Sequence, residues 1–466
     1  MNHIISQIVE LWKNEESVVD IENNLNLWFQ GWNEWLMQHA IERIDKELYQ
    51  QYKHKGWHVD NIEPRTVQFV FGKITYYRRR LKKEGRTSFI ALDEALGLQK
   101  YKRYSPNTQK VMAQLGANMP YRQAKKSLLI SSSVTASHST IHRVTQEVGE
   151  KVQHYLSKYN YKSDLPKTKR KKVKALYIEG DGLLVKGRQG DSPTIHRVIV
   201  HEGIDKRKQR HTLINKMAFS SLDSSKDAFK QAAHYLNQVY DLKETLVITN
   251  SDGGSGYEKD KFDTIVGYCH RHEHFRDTYH VHRKVKERLS FDKKMEGLMI
   301  KAVKKFDWSL VESVCATAES RLIDIPEESK ALRKDQIKKL KKYLYRNWEY
   351  IKSFKQRDLP LSDGTGVCET GHRVYSYRTK RQGRSWTKAG VANVVALLTA
   401  EQNRLLEKAL TTEVDSIVEP LGEDLKGAVR QALKKPRSTT HTVQTGKISN
   451  YGPVSSFIGK LGQTFS

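Results

Sequence analysis

The stretch Ala175-Leu176-Tyr177-Ile178-Glu179-Gly180-Asp181-Gly182 decides how this chain is read. Its apolar run predicts a strand from Val173 to Leu184 that carries Asp181 near its end. Moving outward, Thr194 to His201 and Thr212 to Ser220 read as two further strands. Ser224 to Tyr240 reads as a helix with Phe229, Ala232, Ala233, Leu236 and Val239 on one face, and Thr245 to Thr249 as a fourth strand. Asp252 follows this last strand in Leu246-Val247-Ile248-Thr249-Asn250-Ser251-Asp252.

The order β-β-β-α-β is how an RNase H-like domain begins, and it places Asp181 and Asp252 at the ends of two strands. If those strands are neighbours, two carboxylates project from one sheet at similar height. Hard cations such as Mg²⁺ take oxygen ligands, so paired acids fit two-metal phosphodiester chemistry, with Mn²⁺ able to substitute. Each Asp-Gly pair taken alone favours a turn, and their joint position at two strand ends in this topology reverses that reading. Glu179, two residues earlier on the same strand face, competes with Asp181 as first ligand. The expected third acid is Glu369, with Asp363 and Glu401 as substitutes. Arg378, Lys380, Arg381 and Arg384 follow Glu369, interleaved with Tyr375, Tyr377 and Trp386, and are read as phosphate contacts.

Upstream, the first fifty residues read as helix, with Trp28, Trp32 and Trp35 on one face as core or a dimer contact. A hairpin is expected around Gly72-Lys73, running into Arg78-Arg79-Arg80, which reads as a basic edge lying along phosphates or as a solvated strand end. Ser105-Pro106 opens a helix, and Tyr121 to Leu129 followed by a helix capped at Ser137 or Ser139 resembles helix-turn-helix. Ser139, Thr140, His142 and Arg143 would then begin a recognition helix. Any pair of antiparallel helices gives a similar pattern. The run holding Lys169, Arg170, Lys171 and Lys172 reads as a basic linker able to lie on phosphates, or as a solubilising hinge.

Taken together, Asp181-Gly182, Ser251-Asp252-Gly253-Gly254-x-Gly256-Tyr257, and Glu369 followed by Arg378 and Gly383-x-x-Trp386 resemble the DDE transposases of bacterial insertion sequences, most nearly the ISLre-type family related to the mutator-like group. The resemblance spans nearly the whole chain. It implies an α+β multidomain protein: an RNase H-like catalytic core interrupted by an α-helical insertion, plus a mainly helical N-terminal DNA-binding region. The expected division is a helical region over 1–60, hairpin and helix-turn-helix over 61–160, and a linker over 161–174. The core takes 175–282 and 361–433, the insertion 283–360, and a basic arm 434–466. Asp181, Asp252 and Glu369 would hold two Mg²⁺ ions. The partner would be double-stranded DNA, both element ends and target, acted on by a dimer or larger assembly. Mutator-like relatives carry a Cys/Asp-x-x-His element, and Cys269-His270-Arg271-His272 is similar; Cys269 is expected to pack and His272 to orient a phosphate or a catalytic carboxylate. Near the third acid a Glu-Gly-His is usual, whereas here the order is Glu369-Thr370-Gly371-His372.

Composition agrees with a polyanionic partner, since 81 Lys+Arg against 53 Asp+Glu leave a formal charge of +28 over 466 residues. With 38% hydrophobic residues, 22 Tyr, 13 Phe and 8 Trp, global disorder is excluded. Three cysteines form no disulfide framework, and no apolar run is long enough to cross a bilayer, so a cytoplasmic, nucleoid-associated location is expected. Zinc is disfavoured because Cys269 and His272 lack a second ligand pair. Gly-x-Ser-x-Gly is absent, and Gly253-Gly254-Ser255-Gly256 lacks the Gly-Lys-Ser/Thr ending of a nucleotide loop. Two rival functions remain: a non-catalytic DNA-binding protein or regulator, and a metal-dependent nuclease without strand transfer.

Overall fold

The computed structural model describes residues 2–14, 17–159, 170–205, 207, 211–323, 325–361 and 365–417. Lys169, Asp363 and the arm over 434–466 therefore lie outside the described residues. The chain divides into two compact units, residues 1–148 with 407 onward, and residues 149–406.

In the first unit, helices α1 (Asn2–Lys13) and α2 (Val18–Lys53) precede an antiparallel hairpin of β1 (His58–Phe69) and β2 (Gly72–Lys82). The register pairs Phe69 with Gly72, so Val70 and Phe71 form the turn and Gly72 opens the second strand. The expected turn at Gly72-Lys73 is displaced because α2 comes close: a Cβ on Gly72 would stand 2.7 Å from the Glu34 side chain, which accepts the Lys73 N–H. Ile41 and Leu48 of α2 bury against Val67, Ile74, Tyr76 and Leu81 of the hairpin. Trp28, Trp32 and Trp35 do form one stripe, with successive ring centroids 5.6 and 5.9 Å apart. Arg78, Arg79 and Arg80 do not form an open basic edge. Arg78 pairs with Glu63 and Asp93, Arg79 with the buried Asp45, and Arg80 with Glu63. After α3 (Ala91–Ala95), Ser105 caps α4 (Pro106–Asn118) by accepting the Thr108 N–H, and α5 (Tyr121–Ser131) and α6 (His138–Lys158) follow.

The second unit is built on a five-stranded sheet: β3 (Ala175–Leu184), β4 (Thr194–His201), β7 (Met217–Ser221), β8 (Leu246–Ser251) and β9 (Arg271–Arg276), in the order β7-β4-β3-β8-β9. Both pairings on the β4 side are antiparallel; β3–β8 and β8–β9 are parallel. The third expected strand is shorter than the sequence suggested. Thr212–Leu213 (β6) pairs instead with Ile204–Asp205 (β5), and Asn215 turns the chain with φ +47° before β7 begins. Helix α7 (Ser225–Val239) lays Phe229, Ala232 and Leu236 on Leu176, Ile178, Val198 and Val247, while Tyr177 and Ile248 face the opposite way toward Phe275 and Phe354. Covered on both faces, the central strands read as apolar runs.

Helix α8 (Lys259–Val266) precedes β9. Helices α9 (Thr278–Arg288), α10 (Lys293–Lys305), α11 (Trp308–Ser320) and α12 (Glu327–Ile351) then bury a core of their own, including Val281, Val285, Met299, Val311, Leu340 and Leu344. Because Val281 and Val285 belong to that core, the helical segment starts at Thr278, earlier than residue 283. Helices α13 (Val367–Thr379), α14 (Lys388–Gln402) and α15 (Leu406–Ile417) close the described chain. No helix among the described residues is long and apolar enough to cross a membrane.

Candidate active site

The parallel register sets three carboxylates at one level. Gly180 of β3 pairs with Ser251 of β8, and Ser251 with Arg276 of β9. One residue further along each chain stand Asp181, Asp252 and Asp277. The carboxyl ends of parallel strands are where open α/β sheets bind ligands. Gly180 lets this level form: a Cβ there would stand 3.0 Å from Tyr257 and from Phe262.

Asp181 is held by two donors. The Gly182 N–H donates to Oδ1 at 2.6 Å, and His372 Nε2 lies 2.8 Å from Oδ2. On the far side of that ring, Arg197 Nη1 approaches Nδ1 at 3.0 Å. A guanidinium only donates, so Nδ1 accepts, and the ring proton sits on Nε2 where it is donated to Asp181. Burial pushes the Asp181 carboxyl up, but the hydrogen bonds from His372 and the Gly182 N–H outweigh it and hold the group below its ordinary value. Arg197 is fully buried, stacked 4.4 Å from the Tyr375 ring centroid. Helix α13 approaches it through Gly371, where a Cβ would stand 3.2 Å from Arg197 Nη2.

Glu179 is committed elsewhere. Its Oε2 accepts the Cys368 N–H at 2.8 Å, and the Val367 N–H also bonds to the carboxyl, so this buried acid serves as the cap of α13. Burial pushes it up to about 7 against those two donors. It is therefore no rival for Asp181.

Asp252 begins a loop in which Gly254 N–H donates to its Oδ1 at 2.7 Å. Gly253 has φ +72°, and a Cβ there would collide with the Arg276 guanidinium. Arg276 donates to Ser251 Oγ at 3.2 Å beneath the loop. Asp277 bonds back to β8, its N–H donating to the Ser251 carbonyl at 2.9 Å, and caps α9 by accepting the His280 N–H.

Glu369 falls in the first turn of α13, three positions before His372; its side chain lies outside the described residues. Glu401 occupies the last turn of α14, where the following Asn403 is fastened to Ala218 of β7, an edge strand two removed from β3. Among the described residues, no three His, Cys, Asp or Glu side chains gather closely enough to hold a metal ion.

Several expected contacts change role. Arg378 is 1% exposed, lying over the Trp386 ring at 4.7 Å with Nη1 toward Gln382, so it braces the loop from inside and cannot reach a phosphate. Lys380, Arg381 and Arg384 are exposed. Lys171 is docked, with backbone bonds to Val239 and Asp241 and its ammonium on Glu202 at 2.5 Å; Lys172 lies near Glu244, and Arg170 is exposed. The linker reading thus fails at Lys171. His272 contacts Asp263 and Thr249 at the start of β9, five residues before the acidic level, and Cys269 packs beside the sheet core. His272 therefore positions no carboxylate at the site; Asp277-Thr278-Tyr279-His280 has the Asp-x-x-His spacing and stands at the right end. In the first unit, Ser139, His142 and Arg143 are exposed in the first two turns of α6, whose start is capped by Ser137 accepting the Thr140 N–H at 3.0 Å. Sequence reasoning missed His372, Arg197 and Asp277; the Asp-x-x-His at 277–280 was the available signal.

A family model described as Uncharacterised protein family (UPF0236) matches residues 11–416. The chain belongs to that family. The UPF0236 protein in the vanSb 3′ region of Streptococcus gallolyticus is 38% identical, covering 98% of this chain and 99% of its own length. A UPF0236 protein of Caldanaerobacter subterraneus subsp. tengcongensis is 25% identical over 78% of this chain and 73% of its own length, and its name joins eleven locus designations. A further one from that organism is 24% identical over 78% and 74%.

Proposed function

We propose that this UPF0236 chain is a DDE transposase, cleaving DNA strands at the ends of an insertion sequence and joining them to target DNA. The observation that carries the reading is the placement of Asp181 and Asp252 on adjacent parallel strands at one level. Strand order and direction support an RNase H-like core, and the +28 charge supports DNA as partner. A relative whose one name joins eleven loci supports a gene that multiplies within its genome.

The donor set fits a hard cation: Asp181 and Asp252 offer carboxylate oxygens, and Glu369 would complete the set. Bound there, Mg²⁺ supplies Lewis acidity for opening a phosphodiester and for attack by the freed 3′-hydroxyl. The chain's own residues prepare that site. His372, its tautomer fixed by Arg197, holds Asp181 ionised and aimed. Gly254 fixes Asp252, and Arg276 supports the loop from below. Lys380, Arg381 and Arg384, together with the first two turns of α6, would contact DNA. A cytoplasmic, nucleoid-associated protein acting as a dimer or larger assembly follows from this reading.

The test is incubation with labelled element-end duplex, Mg²⁺ and plasmid target. Joined products abolished by Asp252→Asn, with DNA binding retained, are expected. Binding without cleavage in Mg²⁺ or Mn²⁺ would replace the enzyme with a regulator, and cutting without joining would leave a nuclease.

A further inference from the structure

Past Asp181, strand β3 runs on to Leu184 and then Val185 and Lys186. This extension forms one wall of a cavity of about 460 Å³ lined by Leu184, Lys186, Ser192, Lys380, Arg384 and Ser385 among others. The opposite wall is the loop after α13. The walls are stitched together by a bridge in which Trp386 N–H donates to the Lys186 carbonyl at 3.0 Å and Arg188 N–H to the Trp386 carbonyl at 3.0 Å. Trp386 is itself buried, its indole N–H on the Thr379 carbonyl at 3.1 Å and Arg378 stacked on its face. Gly383 turns the loop with φ +62° and open space where a side chain would be, leaving its backbone accessible.

Three exposed cations and two serine hydroxyls thus converge on a concavity whose lining contains no carboxylate. Lys186, Lys380 and Arg384 make no ion pair among the described residues, whereas many other surface cations of this chain are paired with acids. We infer that this cavity binds a backbone phosphate of duplex DNA flanking the cleavage point. The inference rests on the transposase reading for the identity of the polyanion and deepens it by naming where the strand leaves the acids. Leu184 lies three strand residues beyond Asp181, about 10 Å at the usual rise, and duplex DNA advances about 3.4 Å of axis per phosphate on each strand. The pocket therefore holds a phosphate a few nucleotides from the one at Asp181 and fixes the direction in which the strand runs.

The experiment measures binding of the full chain to a labelled 20-base-pair duplex in EDTA by fluorescence anisotropy, across a series of salt concentrations. A variant with Lys186→Ala, Lys380→Ala and Arg384→Ala is compared with one carrying Lys226→Ala, Lys243→Ala and Lys286→Ala, an equal loss of charge elsewhere on the surface. The pocket variant is expected to lose at least tenfold in affinity and to show a salt slope smaller by about 0.9, the value for one phosphate contact. Equal behaviour of the two variants overturns the proposal, whatever the cleavage assay shows. Titration with inorganic phosphate alone separates the sources: tight binding of free phosphate with no change in DNA affinity also overturns the assignment to the backbone. Because no metal is present, a chain that binds as expected yet fails to cut in Mg²⁺ would sink the enzymatic reading and leave the pocket standing.

Discussion

Arg197, His372 and Asp181 form a line from the interior to the sheet end, and each link depends on the one behind it. Replacing Arg197 with Ala leaves the Nδ1 of His372 without its donor and opens a hole beneath Tyr375. A loss of about 2–4 kcal/mol in urea-unfolding free energy is expected. Gly180→Val forces three added carbons against Tyr257 and Phe262 and should cost about 1–3 kcal/mol by the same measurement. His201, stacked on Tyr177, shows how burial dominates a titration. Burial pushes its imidazole down to about 4, with Lys216 adding to the effect. Because the unfolded ring titrates near 6.5, this contribution is complete above that pH and is lost as pH falls from 6.5 toward 4. Midpoints of urea unfolding should therefore drop across that range, and less so in His201→Gln.

At the level of elements, the join between β3 and α13 matters most. The Glu179 carboxyl meets the amides that open α13, so Glu179→Ala should strip the helix of its cap and destabilise the protein by about 1–3 kcal/mol. Glu179→Gln retains an acceptor and should recover most of that loss. Amide exchange at Cys368 reads the change locally. The strands and α7 were legible because their signals are local: alternation, apolar runs, and caps such as Ser105 and Ser224. Asp181 and Asp252 were legible as strand-end acids for the same reason. His372 and Arg197 were not, since their meeting depends on a contact between residues 175 positions apart that no periodicity encodes. Arg378 and Arg78 misled in the opposite sense: a cation in the sequence looks the same whether it faces solvent, stacks on Trp386 or closes on Asp93.

For the molecule as a whole, the surplus of 28 positive charges is the dominant physical fact. DNA affinity should fall steeply with salt, in a log–log line whose slope counts the phosphates neutralised. Asp181→Asn and Asp252→Asn should reduce strand cleavage at least a thousandfold, about 4 kcal/mol of barrier, without weakening DNA binding or lowering the unfolding midpoint. The contact that docks α13 carries a consequence for synthesis. Its two partners, Glu179 and Cys368, are 189 positions apart, with α9 to α12 between them. At about 5–20 residues per second, a ribosome needs roughly 10–40 s to travel that far. From the synthesis of Asp252 to the end of that interval the nascent sheet has its first two acids but neither His372 nor the helix that brings it. If the chain is the transposase proposed above, a site able to cut DNA is completed only after α13 has been made.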